Sequence, residues 1–457
     1  MNKHHHHHHA VQRASYRTVD LEALHAAGSG PAPAPRTREP QEVHVTLEAR
    51  ETSWELAPGT TVSAWGFGGQ VPGPLVVAEA GDTLVAHLVN RLPEPTVIHW
   101  HGIRLASSMD GTESVQTLVA PGESFEYRFV LPDAGTFWYH SHANEAVQLE
   151  RGLYGALVVL GADEPAFDAD RVLVLDDVTL DRRGRSIARP ALFDRHSGRE
   201  GDTVVINGRA QPELEIAAGQ IERWRIVNAS SARYVRLSLG GRPFRIIGSD
   251  GGLRPAPLTT TETLLTPGDR VELAVGPFDD EGAAIAIESL PYRRSRMKRA
   301  RYTRWGTLRV GPRLPSGAVV PETLATITPL VVAGSLAPTR TIRLGARMTL
   351  HGHDWLVNGD THHRDAPVKA GELQVWDIVN ETGLDHPFHL HGFFFQVVAA
   401  DGQPIAPASW EDTVNVPARK RVTIAFRADA RPGEWMYHCH ILEHHAAGMM
   451  GHFEVVT

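Results

Sequence analysis

At 457 residues the chain has room for roughly three domains of about 150 residues each. Its 45 basic and 53 acidic residues leave a net charge of −8. That balance argues against a nucleic-acid binder, whose affinity rests on clustered Lys and Arg. No run of about 18 apolar residues is present, so no membrane span is expected. The 42 glycines, 31 prolines and short apolar runs point to an all-β chain with many turns. The single cysteine, Cys439, excludes an intrachain disulfide framework.

Residues 1–40 read as a histidine tag (residues 4–9) followed by a linker. The Gly- and Pro-rich run 28–35 favours extended, unpacked chain, and Leu21 and Leu24 suggest a short helix before it. From about residue 41 an internal repeat begins. Ala80-Gly81 opens a segment ending Val89-Asn90; Ala218-Gly219 opens one ending Val227-Asn228; Ala370-Gly371 opens one ending Val379-Asn380. Each copy is a turn followed by a strand, and Pro121-Gly122, Pro267-Gly268 and Pro417-Ala418 each introduce a further alternating strand. Three tandem Greek-key β-sandwich domains are expected, at 41–162, 170–313 and 325–457.

The histidines divide unequally among the repeats. The first has His99-Trp100-His101 and His140-Ser141-His142. The third has His389-Leu390-His391 and His438-Cys439-His440. The matching region of the second, 228–234, has none. Residues i and i+2 of a strand point to the same side, so each pair presents two imidazoles together. If the outer domains face each other, eight imidazoles converge on one interface. Eight imidazoles with few carboxylates suit copper, zinc or iron rather than calcium or magnesium.

Cys439 narrows the metal. With His386, His444 and Met449 it supplies one thiolate, two imidazoles and a thioether, the ligand set of a blue-copper electron-transfer site. Alternation sends Cys439 to one side of its strand and His438 and His440 to the other. Two metal sites would then be joined covalently through the backbone.

These four segments, in this order and spacing, resemble those of the three-domain multicopper oxidases, in particular the bacterial laccase-like branch, over about residues 41–457. The resemblance implies cupredoxin-like domains holding four copper ions. A type 1 copper would lie on His386, Cys439, His444 and axial Met449, with Met450 next to it but off the family spacing. A type 2 copper would lie on His99 and His389. A type 3 pair would lie on His101, His140, His142, His391, His438 and His440, with His101, His140 and His440 on one ion. It implies one-electron oxidation of phenolic or similar small donors, coupled to reduction of O2 to two waters. Oxidation of Cu(I), Fe(II) or Mn(II) in metal tolerance is the alternative, and a non-enzymatic scaffold on the same fold, which would have lost ligands, a third. A periplasmic or secreted monomer is expected.

Two further residues are candidates for proton delivery. Asp110 follows His101 by nine positions, where the family carries an acid near the type 2 site, although Asp110-Gly111 is also a good turn dipeptide. His445 stands where relatives carry an acidic residue directly after the type 1 histidine, and an imidazole can also relay protons. The basic segment 292–301 reads as a solvated loop, and His351, His353, His362 and His363 as surface residues around a hairpin. No Met-rich segment is present among the seven methionines, which weakens a specialised cuprous oxidase.

Overall fold

The computed structural model describes residues 11–13, 19–162, 164–181, 192–295, 299–331, 337–349 and 352–457. Six β-sheets pair into three sandwiches: a five- with a four-stranded sheet, a seven- with a five-stranded sheet, and two six-stranded sheets. No helix among the described residues is long and apolar enough to cross a membrane.

The internal repeat is a repeated piece of topology. Strands Thr83–Asn90, Glu222–Asn228 and Leu373–Asn380 each pair in parallel with the strand that opens their sandwich: Glu42–Ala57, Ala169–Val178 and Arg340–Thr349. Each pairs antiparallel with the strand after the second turn: Ser124–Val130, Arg270–Val275 and Arg421–Arg427. The invariant Ala-Gly turn has a backbone reason. Gly81, Gly219 and Gly371 sit at φ of 93°, 83° and 83°, where a Cβ is strained. The closing asparagine also has one. Asn90, Asn228 and Asn380 are buried, and each Oδ1 accepts the backbone N–H two residues on, from Leu92, Ser230 and Thr382. Each Nδ2 donates to a carbonyl across the sandwich, of Val119, Leu265 and Val416. A strand end thus keeps its polar groups satisfied inside the core.

The sandwich cores are separate. Trp100, Tyr127, Phe129 and Tyr139 centre the first, Trp224 and Trp305 the second, and Trp355, Trp376 and Trp435 the third. In the third, Cys439 and Met449 are part of the apolar packing.

The N-terminal segment departs from the expected loose linker. Val11–Arg13 adds a parallel strand beside Ser124–Glu126. Helix Leu21–Ala26 forms, capped by the Asp20 carboxylate on the Ala23 N–H, and buries Leu24. The run after it is tied down by charge. Ser29 is buried and donates to Asp429 Oδ2 at 3.0 Å, while Arg104 donates to Ser29 Oγ at 2.8 Å and to both oxygens of Asp133. Arg431 grips the same Asp429. A Cβ on Gly30 would lie 2.7 Å from the Arg104 guanidinium carbon, so the close approach needs glycine. The strap clamps the first sandwich to the third.

Burial alone would raise the Asp133 pKa, but the Arg104 charge outweighs it and holds the carboxyl at about 2, below its ordinary 3.8. A carboxylate depressed in the native state adds stability above its unfolded pKa, and that stability is lost as pH falls through the folded value. Arg104→Met should therefore destabilise the protein by roughly 3 kcal/mol at pH 7, by leaving a buried charge unpaired. The deficit relative to wild type should shrink between pH 4 and pH 2. Denaturant unfolding of both proteins across that range checks the size and the sign.

Candidate metal centre

Two sandwiches supply the histidines and face each other as expected. Strand Ile98–His101 runs antiparallel to Gly135–Ser141, placing His99 opposite His140. Strand His386–Leu390 runs antiparallel to Gly433–Cys439, placing His389 opposite His438. Across the interface, the His101 and His389 rings stack with centroids 3.7 Å apart, and those of His99 and His391 lie 3.9 Å apart. The ligand atoms gather into buried groups: His99, His101 and His389; His101, His140 and His440; His142, His391 and His438. A fourth group, His386, Cys439 and His444, lies on the other side of the Gly433–Cys439 strand.

Hydrogen bonds fix how each imidazole points. Nδ1 of His99 faces the Asp110 carbonyl at 2.8 Å, and Nδ1 of His389 the Asp412 carbonyl at 2.9 Å. For His140 and His438 the partners are the carbonyls of Ser141 and Cys439, at 2.9 and 3.0 Å. A carbonyl only accepts, so each Nδ1 carries the proton and each Nε2 presents a lone pair. Carboxylates do the same for His391, through Asp110 Oδ2 at 2.8 Å, and His142, through Glu145 Oε1 at 2.8 Å. His101 is reversed: its Nε2 donates to Asp412 Oδ1 at 3.0 Å, leaving Nδ1 inward.

Among the described residues, the inward nitrogens of His99, His101, His140, His142 and His389 and both ring nitrogens of His440 are buried without a hydrogen-bond partner. The Nε2 atoms of His391 and His438 stand 3.0 Å apart, although both are lone pairs by the argument above. Burial drives the imidazole pKa values down, to about 3 for His440 and well below the usual range for His101, His140, His391 and His438. Neutral rings with convergent lone pairs call for a cation between them.

The fourth group repeats the logic with sulfur. His444 Nε2 donates to the His196 carbonyl at 3.1 Å, so its Nδ1 is a lone pair. His386 Nε2 lies 2.7 Å from Thr382 Oγ1, a hydroxyl already turned toward Asn380 Oδ1 at 2.8 Å, which leaves it to accept from the ring. The two Nδ1 atoms are 3.2 Å apart, and Cys439 Sγ lies 3.4 Å from His386 Nδ1 and 3.7 Å from His444 Nδ1. Burial pushes the Cys439 thiol up to about 12 and the His386 imidazole down to about 3. A bound cation would displace the thiol proton. Two imidazoles and a soft sulfur fit copper. Met449 is buried in the core around Cys439, and its carbonyl accepts the Cys439 N–H at 3.1 Å. Met450 turns away and lines a cleft of about 510 Å³ with His142, Glu145, His445 and His452.

Asp110 is both a turn residue and a neighbour of the cluster, since its carbonyl holds His99 and its carboxylate holds His391. His445 is buried; its ring stacks on His438 at 4.3 Å and bonds to Glu145 Oε2 through Nδ1.

Several contributors escaped the sequence reading. Glu145, three residues after His142, touches both His142 and His445; burial raises its carboxyl, but the contacts with these two rings outweigh it and hold the carboxyl well below the usual range. Asp412 touches His101 and His389 and is gripped by Arg270 of the middle sandwich, its Nη1 2.7 Å from Oδ1. A Cβ on Gly268 would lie 3.0 Å from the His440 ring and 3.2 Å from that of His101. The middle domain, which adds no histidine to the cluster, therefore walls it. Spacing from His142 was the one available signal for Glu145; Asp412, Arg270 and Gly268 had none.

The basic segment is only partly the solvated loop expected. Arg293, Arg299 and Arg301 are exposed. Arg294 is 4 % exposed, bonds to the Ser197 carbonyl and Glu200, and lies 5.6 Å over the Tyr234 ring, so carbonyl, carboxylate and aromatic face replace water around its charge. Of the hairpin histidines, His351 lies outside the described residues, His362 is exposed and His363 sits beside Asp360 and Asp365. His353 instead packs its ring 4.3 Å from that of His196.

Family models described as "Multicopper oxidase" match residues 48–164, 169–283 and 346–457. The chain is 31% identical to Multicopper oxidase MmcO of Mycobacterium tuberculosis, over 95% of this chain and 92% of that one. Among solved structures, a multicopper oxidase from Campylobacter jejuni, titled a metallo-oxidase, aligns with a TM-score of 0.80 and 30% identity, over 93% of this chain and 94% of that one. One from Pseudomonas thermotolerans aligns with a TM-score of 0.80 and 32% identity, over 92% and 100%. With its paired histidine clusters and the buried cysteine site beside them, this chain belongs to the multicopper oxidase family.

Proposed function

We propose that the chain takes electrons singly from a reduced donor at the His386, Cys439, His444 and Met449 site and passes four of them to O2 at the eight-histidine cluster, with release of two waters. The observation that carries this reading is the alternation at residues 438–440. The Cys439 sulfur lies in one buried group while the rings of His438 and His440 lie in the cluster behind it. Copper, when bound, supplies the one-electron redox steps and the oxygen chemistry. In this reading His99 and His389 hold the type 2 ion. His101, His140 and His440 hold one type 3 ion, and His142, His391 and His438 the other.

The protein's part is to hold ligands and move protons. Asp110 ties His99 to His391, so one acid orients ligands of two ions. His445 and Glu145 join the wall of the 510 Å³ cleft to His142, a route for protons from solvent to the cluster. The scaffold alternative is disfavoured, because every expected ligand side chain is present and buried.

For the donor, a specific observation favours a metal ion over a phenol. His444 is 0 % exposed, its Nε2 is bonded to the His196 carbonyl, and Trp355 stacks on its ring at 3.9 Å. A planar phenol has no open ring edge to lie against, whereas a small ion can dock outside the cover. The Campylobacter jejuni relative titled a metallo-oxidase is in keeping with this.

Loaded protein should contain about four coppers per chain and be blue. Cys439→Ser should lose the colour and one copper while the eight histidines keep the rest; a blue Cys439→Ser protein refutes the assignment. Met449→Leu should raise the potential of the blue site, because a weak donor that stabilises Cu(II) is removed; redox titration reads it. Glu145→Gln and His445→Ala should each slow reoxidation of the reduced protein by O2 by about tenfold, as loss of a group supporting a metal ligand typically does. Reduction of the blue site should be unaffected. Rapid mixing with O2 separates the two half-reactions.

A further inference from the structure

The eight cluster histidines are at most 5 % exposed, so the ions they hold must reach them through the protein. The strand that carries His438 also carries a line of soft donors outward. In its antiparallel ladder with Met450–Val456, His438 stands opposite Met450, and Met436 stands opposite His452. Residues two apart share a face, so these four side chains follow one another on one side of the sheet. Trp435, Tyr437, Cys439 and Phe453 take the other side, in the core of the third sandwich. Met436 and Met450 are buried, yet neither joins the apolar packing that holds Met449. Both line the 510 Å³ cleft between the first and third sandwiches, with His452, His445 and the cluster ligand His142.

His445 closes the inner end of the cleft, its ring 4.3 Å from that of His438 and 5.1 Å from that of His142. Its Nδ1 donates to Glu145, while its Nε2 is buried without a hydrogen-bond partner among the described residues. At the mouth, exposed His362 lies within electrostatic reach of His452. On the wall, Glu113 and Glu145 outnumber Arg364, which is itself paired with Glu434 at 3.0 Å.

We propose that His452, Met436, Met450 and His445 form a loading site for cuprous ions, through which the eight-histidine cluster is filled with copper. This rests on the reading that the cluster holds copper. Thioethers and neutral imidazoles are soft donors that select Cu(I) over harder cations. The acidic wall draws a cation in. Leucines would fill the same space equally well; what the thioethers add is a place for a soft ion, on flexible side chains that can follow it without moving the strand. The ion exchanges one ligand at a time, from His452 and Met436 to Met450 and His445, and then to His142 and His438. It arrives as Cu(I), and no electron moves in transit. The type 1 group lies on the other face of the strand, so its filling does not depend on this ladder.

The test starts from the copper-loaded full chain. Copper is withdrawn from the reduced protein by a Cu(I) chelator and then returned as Cu(I), and samples are quenched and oxidised in air at intervals. Blue absorption reports the type 1 site, and total copper less that amount reports the cluster. The tag histidines bind copper equally in every sample, so the readout is the difference between proteins. Withdrawal and return run over the same path. In Met436→Leu/Met450→Leu and in His452→Gln, both should slow about tenfold for cluster copper, as loss of a group supporting a metal site typically costs. The blue site should empty and refill at the wild-type rate. The fully loaded double methionine variant should reduce O2 as wild type does, because the ladder takes no part in turnover. Cluster copper moving at the wild-type rate in either variant would overturn the loading site. Equal slowing of the blue site would overturn it too, since that marks general damage to the fold. A wild-type chain that holds no more than one copper beyond those on its tag would overturn instead the reading of the eight histidines as a copper cluster.

Discussion

Everything at this centre depends on the period of two in one strand. In Gly433–Cys439 and the residue after it, alternate side chains leave on opposite sides, so Cys439 enters the apolar core of the third sandwich while His438 and His440 enter the space between sandwiches. A shift by a single residue would place a thiol among imidazoles and two imidazoles in a hydrocarbon core. The register is pinned on both sides, by His386–Leu390 and by Met450–Val456. The strand is therefore both scaffold and partition between the two buried ligand groups, and its backbone joins them covalently.

The second constraint is electrostatic. Ten histidines sit in or beside this strand's two faces, and burial makes a charged imidazole too costly to keep there. Nine of the ten rings spend their one N–H on an acceptor, a backbone carbonyl, the carboxylate of Asp110, Asp412 or Glu145, or for His386 the Thr382 hydroxyl, while neither nitrogen of His440 has a partner among the described residues. Those outer bonds decide which nitrogen faces inward. Lone pairs 3.0 and 3.2 Å apart repel each other with nothing between them, so the fold is built for the bound state. Affinity for metal is in this sense prepared in the bonds behind the ligands rather than in the ligands themselves.

The middle domain gives up its ligands and keeps a structural part. Arg270 neutralises Asp412, which in turn orients His101, and the turn at Gly268 presses backbone against two cluster rings. Its helix Leu192–Ser197 closes over His444 and lends the carbonyl that orients it. A domain that adds no residue to the four buried ligand groups thus walls the eight-histidine cluster and covers His444. The N-terminal strap does comparable work at a distance, holding the outer sandwiches together through Arg104, Ser29 and Asp429.

What the amino-acid sequence determined by itself was whatever local spacing controls. Turn-strand repeats announced three sandwiches, because a positive-φ glycine and a strand-closing asparagine are demanded by backbone geometry wherever the unit recurs. The His-x-His pairs and the residues around Cys439 were legible for the same reason, since strand period dictates which side chains act together. Tertiary structure alone decided the rest. Asp412 reaches His101 across 311 positions, Glu145 meets His445 across 300, and Ser29 meets Asp429 across 400. His353 and Arg294 looked like solvent-facing residues, and were drawn inward by rings and carbonyls from distant segments. No local pattern encodes such meetings, because they follow from how whole sandwiches dock, and docking is set by surfaces summed over many strands rather than by any one spacing.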